Sequence, residues 1–131
     1  MFFHIDTKSN APLYEQIIQQ VKEMCAKGLL TPDERLPSVR ELSSHMVINP
    51  NTVSKAYQEL ERQGIIVTVR GRGTFISKKT DRTSDPGRLK AIRESLKEAV
   101  IENYYAGYSK KELIKLLEEV YEEMEGKTDE N

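Results

Sequence analysis

Residues Leu36 to Ile76 constrain the fold of this chain more than any other feature: LPSVRELSSHMVINPNTVSKAYQELERQGIIVTVRGRGTFI holds two helix starts and a β pair with almost nothing between them. Ser38 stands three residues before Glu41. A serine there accepts from the Glu41 backbone N–H while the Glu41 carboxylate reaches back to the serine amide, a reciprocal cap that opens a helix. Val39, Leu42 and Met46 follow at spacings of three and four, one apolar stripe. Val47-Ile48 breaks the pattern. Asn49-Pro50 restarts it, with Asn49 as cap and Pro50 at the first helical position, where its missing N–H costs nothing.

At about 100° per residue, Val53, Ala56, Tyr57 and Leu60 share one face of the second helix. Asn51, Lys55, Gln58 and Arg62 lie opposite, flanked by Thr52 and Ser54, and only Glu59 and Glu61 counter the two cations; Gly64 ends the helix. Two helices joined by a tight turn, the second with a polar outward face, make a helix-turn-helix. The first turn of the second helix enters the major groove in such motifs. There Asn pairs bidentately with adenine, and Lys or Arg with guanine.

The β pair follows at once. Ile65-Ile66-Val67-Thr68-Val69 is answered by Thr74-Phe75-Ile76 across an Arg70-Gly71-Arg72-Gly73 tip. By itself such a tip reads equally well as a solvated turn. Directly after a helix-turn-helix it reads as a wing whose arginines reach phosphates or a minor groove.

Upstream, Leu13, Ile17, Val21 and Met24 predict a helix capped by Asn10 and stopped by Gly28, the third leg of a three-helix core. Residues Phe2 to Ile5 are expected to form a short edge strand. Downstream, residues 77–87 are polar and aperiodic, a linker. Leu89, Ile92, Leu96, Val100 and Tyr104 then predict a helix that Gly107 stops. Ser109 and Glu112 form a second capping box ahead of a helix carrying Leu113, Leu116, Leu117, Val120, Tyr121 and Met124. From Glu125 onward the tail is polar and expected to fray. A two-helix hairpin of this size cannot bury both stripes by itself, so they need either the N-terminal domain or another copy of the chain, and another copy is the expected partner.

The formal net charge is −1, unpromising for a chain that meets phosphates, but it is unevenly spread. Arg62 to Arg93 holds nine Lys/Arg against two Asp, a local +7, and Glu112 to Asn131 holds eight acids against two Lys, a local −6. The basic middle suits DNA and the acidic end is expected to point away from it.

These runs closely resemble the N-terminal domain of the GntR family of bacterial transcription regulators, from about Phe3 to Ser77. Leu36 to Leu42 and Asn49 to Tyr57 are similar to its two signature runs, Gly71-Arg72-Gly73-Thr74-Phe75 to its wing, and Leu13-Tyr14-Glu15-Gln16-Ile17 to its first helix. The short tail resembles the YtrA-like branch. One departure is Pro32-Asp33, where a Gly is common before the Leu-Pro-Ser run. The resemblance implies DNA contacts from Arg40, Asn49, Asn51, Thr52, Ser54, Lys55, Arg70, Arg72 and Gly73, with Arg35 beside the first run touching a phosphate. It also implies a homodimer held through Leu89, Ile92, Leu96, Val100, Tyr104, Leu113, Leu117, Val120 and Tyr121. Its targets would be the chain's own operon and a nearby transporter operon.

The expected architecture is therefore mainly α with a small β-hairpin: a winged helix-turn-helix domain over 1–77, a linker over 78–87, and a helical dimerisation hairpin with a polar tail over 88–131. No catalytic constellation is visible. His4 and His45 lack acidic or Cys neighbours at ligand spacing, and Cys25 is alone, so no metal and no cofactor are expected. Without a run of about 18 apolar residues or a basic leader, a cytoplasmic protein is expected. About 45 residues after the linker leave little room for a pocket of ~300 Å³, so any small-molecule effector stays unidentified. The competing reading is a winged-helix module that docks a protein. It would want apolar anchors on the outer face of the 50–63 helix, which carries none.

Overall fold

A computed structural model describes residues 4–78 and 86–125. The chain divides into two compact units, Met1–Thr83 and Ser84–Asn131. The first contains α1 (Leu13–Ala26), β1 (Arg35–Leu36), α2 (Val39–Met46), α3 (Pro50–Arg62), β2 (Ile66–Val69) and β3 (Gly73–Ile76); the second contains α4 (Pro86–Tyr105) and α5 (Lys110–Glu125).

Both expected caps of the helix-turn-helix form. The Glu41 amide donates to Ser38 Oγ at 3.0 Å and the Ser38 amide to Glu41 Oε1 at 2.8 Å. The Asn51 amide donates to Asn49 Oδ1 at 2.8 Å, with Pro50 at the start of α3. The turn between α2 and α3 runs through Val47 at φ 54°, an unusual left-handed conformation for a β-branched residue.

The start of α1 differs from expectation. Its cap position is Pro12, which offers no side-chain acceptor. Gln16 holds the approach instead: its side-chain amide donates to the carbonyls of Asp6 (2.9 Å) and Ala11 (3.0 Å) and accepts from the Asp6 amide (2.8 Å). The edge strand expected over residues 2–5 is also corrected. Phe2 and Phe3 lie outside the described residues, and His4 and Ile5 form no strand. The His4 amide donates to Gln20 Oε1 at 2.6 Å and its carbonyl accepts from Gln20 Nε2, so one side chain occupies both groups that a neighbouring strand would need.

The third strand comes from β1. The sheet order is β1-β3-β2, antiparallel throughout, with Arg35 opposite Phe75, Leu36 opposite Thr74 and Ile66 opposite Ile76. Just ahead of β1, Asp33 takes φ 70°, the left-handed region that glycine favours and Asp tolerates. This accommodates the Pro32-Asp33 departure. The Asp33 amide then donates to the Ile76 carbonyl at 2.8 Å, and the Ile76 amide to the Glu34 carbonyl at 2.8 Å.

The core gathers one stripe from each element: Ile17 and Val21 from α1, Leu42 from α2, Val53, Ala56, Tyr57 and Leu60 from α3, and Leu36, Ile66 and Ile76 from the sheet, closed by Leu30. Each larger side chain among these stabilises the fold by ~1.5–3 kcal/mol on burial. Tyr57 adds a polar tie, donating to the Pro37 carbonyl at 2.7 Å and so fixing the approach to α2 against α3. Burial, with the Glu41 charge second, pushes its phenol well above the ordinary value.

In the second unit, the Ser109–Glu112 capping box closes, with the Ser109 amide donating to Glu112 Oε1 (2.7 Å) and the Glu112 amide to Ser109 Oγ (3.1 Å). Asn103 Nδ2 donates to the carbonyls of Tyr108 (3.0 Å) and Ser109 (3.2 Å), pinning the turn at Gly107. No described residue of α4 or α5 is buried. Leu89, Ile92, Leu96, Val100, Tyr104, Leu117, Val120 and Tyr121 are all exposed, while Leu113 is half-buried. Of the expected 78–87 linker, residues 79–85 lie outside the described residues, Lys78 follows β3, and Pro86 and Gly87 already belong to α4. The fraying expected of the tail falls on residues 126–131, also outside the described residues, whereas Glu125 is helical. No described helix is long and apolar enough to cross a membrane.

Candidate nucleic-acid interface

Burial of Val53, Ala56, Tyr57 and Leu60 fixes the rotation of α3. Asn51 and Lys55 are therefore exposed, with Thr52 and Ser54 half-buried beside them. Asn49 spends its side-chain oxygen on the cap, which leaves its Nδ2 as a donor beside the first turn. That turn contains no acidic residue, so the helix itself carries no charge there to offset the positive end of its dipole. Ser54 Oγ accepts from Gln58 Nε2 at 3.2 Å. Arg40 is the second residue of α2 and is exposed.

Two acidic residues near this face, Glu59 and Glu41, are held by other groups. Arg62 donates to Glu59 through Nε (2.9 Å) and Nη2 (2.6 Å), and Gln63 Nε2 donates at 2.7 Å. These bonds, that from Arg62 foremost, bring the Glu59 carboxyl down to about 2. The Glu41 carboxyl is also lowered, first by the Ser38 backbone N–H and then by the Ser38 side chain, with Arg35 contributing less.

The wing turns on Arg70-Gly71-Arg72. The Arg72 amide donates to the Val69 carbonyl at 2.9 Å, and Gly71 takes φ 82°, the value a type II turn needs at its third residue. Arg70 and Arg72 are exposed at the tip. Strand β1 brings Arg35 to the same wing. A Cβ on Gly73 would sit 3.0 Å from Arg35 Nε, so the missing side chain is what lets Arg35 lie across β3. Arg35 Nη1 is also 3.8 Å from Glu41 Oε1, a loose exposed pair that links the wing to the start of α2.

One residue absent from the expected site belongs beside it. The Lys55 ammonium lies over the Tyr14 ring, 4.0 Å from its centroid. Tyr14 Oη donates to Glu15 Oε2 at 3.3 Å, and the Glu15 charge is the first cause holding its phenol above the ordinary value. Tyr14 and Lys55 are forty-one residues apart, and only the packing of α1 on α3 joins them. No group of three or more His, Cys, Asp or Glu among the described residues is placed to hold a metal.

The family described as bacterial regulatory proteins, gntR family, matches residues 13–76. Over 122 residues the chain is 50% identical to the HTH-type transcriptional repressor YtrA of Bacillus subtilis, covering 93% of this chain and 94% of that protein. The crystal structure of a transcriptional antiterminator from Listeria monocytogenes is similar at a TM-score of 0.87 and 48% identity, covering 95% of this chain and 92% of that one. YtrA from Sulfolobus acidocaldarius, a GntR-family transcription factor, is similar at a TM-score of 0.55 and 34% identity, covering 92% and 97%. The chain is a DNA-binding transcription regulator with a winged helix, and it belongs to the gntR family of bacterial regulatory proteins, in its YtrA-like branch.

Proposed function

We propose that the chain is a homodimeric repressor that reads an inverted-repeat operator in the cytoplasm. Asn51, Thr52, Ser54 and Lys55 face the major groove, Asn49 and Arg40 hold the flanking backbone, and Arg35, Arg70, Arg72 and Gly73 form the wing contact. The observation that carries this reading is the conjunction on one small domain of an acid-free, capped α3 start and a Gly-rich wing tip bearing two exposed arginines. Helix N-termini and arginines are common phosphate partners, and Asn is a base reader. The repressor role follows the name of the Bacillus subtilis relative, which spans nearly the same length. Control of its own operon and a neighbouring transporter operon is the corresponding target hypothesis.

The second unit supplies the two-fold. Helices α4 and α5 order 20 and 16 residues. Ordering costs ~1–2 kcal/mol per residue for the backbone, and among the described residues of α4 and α5 no buried side chain offsets it. A second copy of the same stripe, contributing Leu89 to Tyr104 and Leu113 to Tyr121, would supply that burial.

Two measurements test the proposal. Lys55→Ala and Arg72→Ala should each weaken operator binding and lower the slope of log affinity against log salt by about one unit, with fold and assembly intact. Wild-type binding by both at every salt concentration contradicts the assigned face. Leu96→Glu combined with Leu117→Glu should give monomers in analytical ultracentrifugation; an unaltered dimer contradicts the assigned interface.

A further inference from the structure

Lysine is a poor instrument for a fixed contact, because its long stem gives up much rotamer freedom when the ammonium is held at one point. In this chain that freedom is already restricted in the absence of a ligand. The Lys55 ammonium sits on the face of Tyr14, 4.0 Å from the centroid, where the ring quadrupole attracts a cation. Tyr14 is itself fixed. It packs partly buried against the core, and its hydroxyl is tied to Glu15. The two residues line a groove of about 520 Å³ between α1 and α3, together with Glu15, Glu59 and Arg62. Both carboxylates in that groove have other partners: Glu59 is taken by Arg62 and Gln63, and Glu15 by Tyr14. The direction of the ammonium is therefore set by an aromatic surface and not by either carboxylate. That direction is toward Tyr14 on α1.

We infer that Tyr14 is a positioning residue for DNA binding: its ring holds Lys55 at the α1 edge of the recognition helix, where the ammonium meets a backbone phosphate and reads no base. This rests on the proposed interface and adds to it a division of labour. Lys55 contributes affinity to every sequence alike, and the first turn of α3 discriminates among them.

The test measures binding of an operator duplex and a scrambled duplex across a salt series, for wild type, Tyr14→Phe, Tyr14→Leu, Lys55→Ala and the Tyr14→Leu/Lys55→Ala double variant. Thermal melts of each check the fold. Tyr14→Phe keeps the ring and should bind as wild type. Tyr14→Leu should lose roughly two- to fivefold on both duplexes, the size of an exposed cation–π contact. In the Lys55→Ala background the Tyr14→Leu change should cost nothing further. Several outcomes overturn the inference: wild-type affinity in Tyr14→Leu, an equal loss in Tyr14→Phe, or a full Tyr14→Leu loss surviving without Lys55. A loss in Lys55→Ala confined to the operator does so as well. Wild-type binding by Lys55→Ala overturns the positioning role alone, and the proposed interface fails only if Arg72→Ala also binds as wild type, which separates the two. Should Tyr14→Leu not fold, proton NMR of the wild-type protein decides: the Lys55 methylene next to the ammonium should be shifted upfield by the ring, and an unshifted signal overturns the inference.

Discussion

Gly73→Ala perturbs the wing at a point where two costs can be separated. The first is backbone strain: Gly73 has φ 126°, outside the range that residues with a Cβ readily adopt, and such conformations cost ~1–3 kcal/mol. The second is contact, since the new methyl would lie 3.0 Å from Arg35 Nε. Arg35 is exposed and its guanidinium can swing away, so the contact costs little energy but moves a cation off the wing. Strain therefore dominates stability and the contact dominates binding. For a folding unit of this size ~1 kcal/mol lowers Tm by about 4–8 °C, so a fall of about 4–24 °C is expected by differential scanning calorimetry. Gly71→Ala is the control. Its φ of 82° also disfavours alanine, but nothing lies within 4 Å of the added methyl. It should cost ~1–2 kcal/mol and leave Arg35 in place. Binding measured well below each variant's Tm should thus fall more for Gly73→Ala than for Gly71→Ala. An undiminished Tm for Gly73→Ala, or equal binding by the two variants, would refute the reasoning.

Other consequences are as specific. Val47 is 90% exposed and holds φ 54°; since Asn tolerates the left-handed region, Val47→Asn should stabilise by ~1 kcal/mol, read as a raised Tm, and a lowered Tm would contradict it. Tyr57→Phe removes the donor to the Pro37 carbonyl and should destabilise by ~1–3 kcal/mol, checked by urea denaturation. The Glu59 carboxyl is depressed from 4.5 to about 2 in the folded chain, so its stabilising contribution is present above pH 4.5 and is lost as pH falls toward 2. The Tm advantage of wild type over Glu59→Gln should accordingly shrink across that window, and a constant gap would show that the Arg62 and Gln63 bonds contribute nothing through ionisation.

Much of the helix-turn-helix was legible because its signals are local. Ser38 with Glu41, and Asn49 with Pro50, act over three residues, and the α3 stripe repeats often enough to fix which face turns inward. What escaped depends on distance or on brevity. Strand β1 has two residues, too few for any alternation, and forms because β3 offers it a free edge. The strand expected at His4 gave way to Gln20, a side-chain competitor that hydropathy cannot register. The same holds for Gln16 at the start of α1, where Asn10 was the obvious cap by type alone. Tyr14 stood in plain view among the first-helix residues, but its place beside Lys55 follows only from how α1 crosses α3. In the second unit the stripes were readable, and their exposure along α4 and α5 fits the need for a partner that the pattern implied.

The central claim is that the α3 face and wing of two joined copies recognise one duplex. It is tested most directly by selecting bound fragments from a random double-stranded DNA library with the purified protein at a stated salt concentration. The account predicts enrichment of an inverted repeat whose half-sites lie about ten base pairs, or a multiple of that, apart. Enrichment of no sequence, or of a solitary half-site without its two-fold mate, would contradict it.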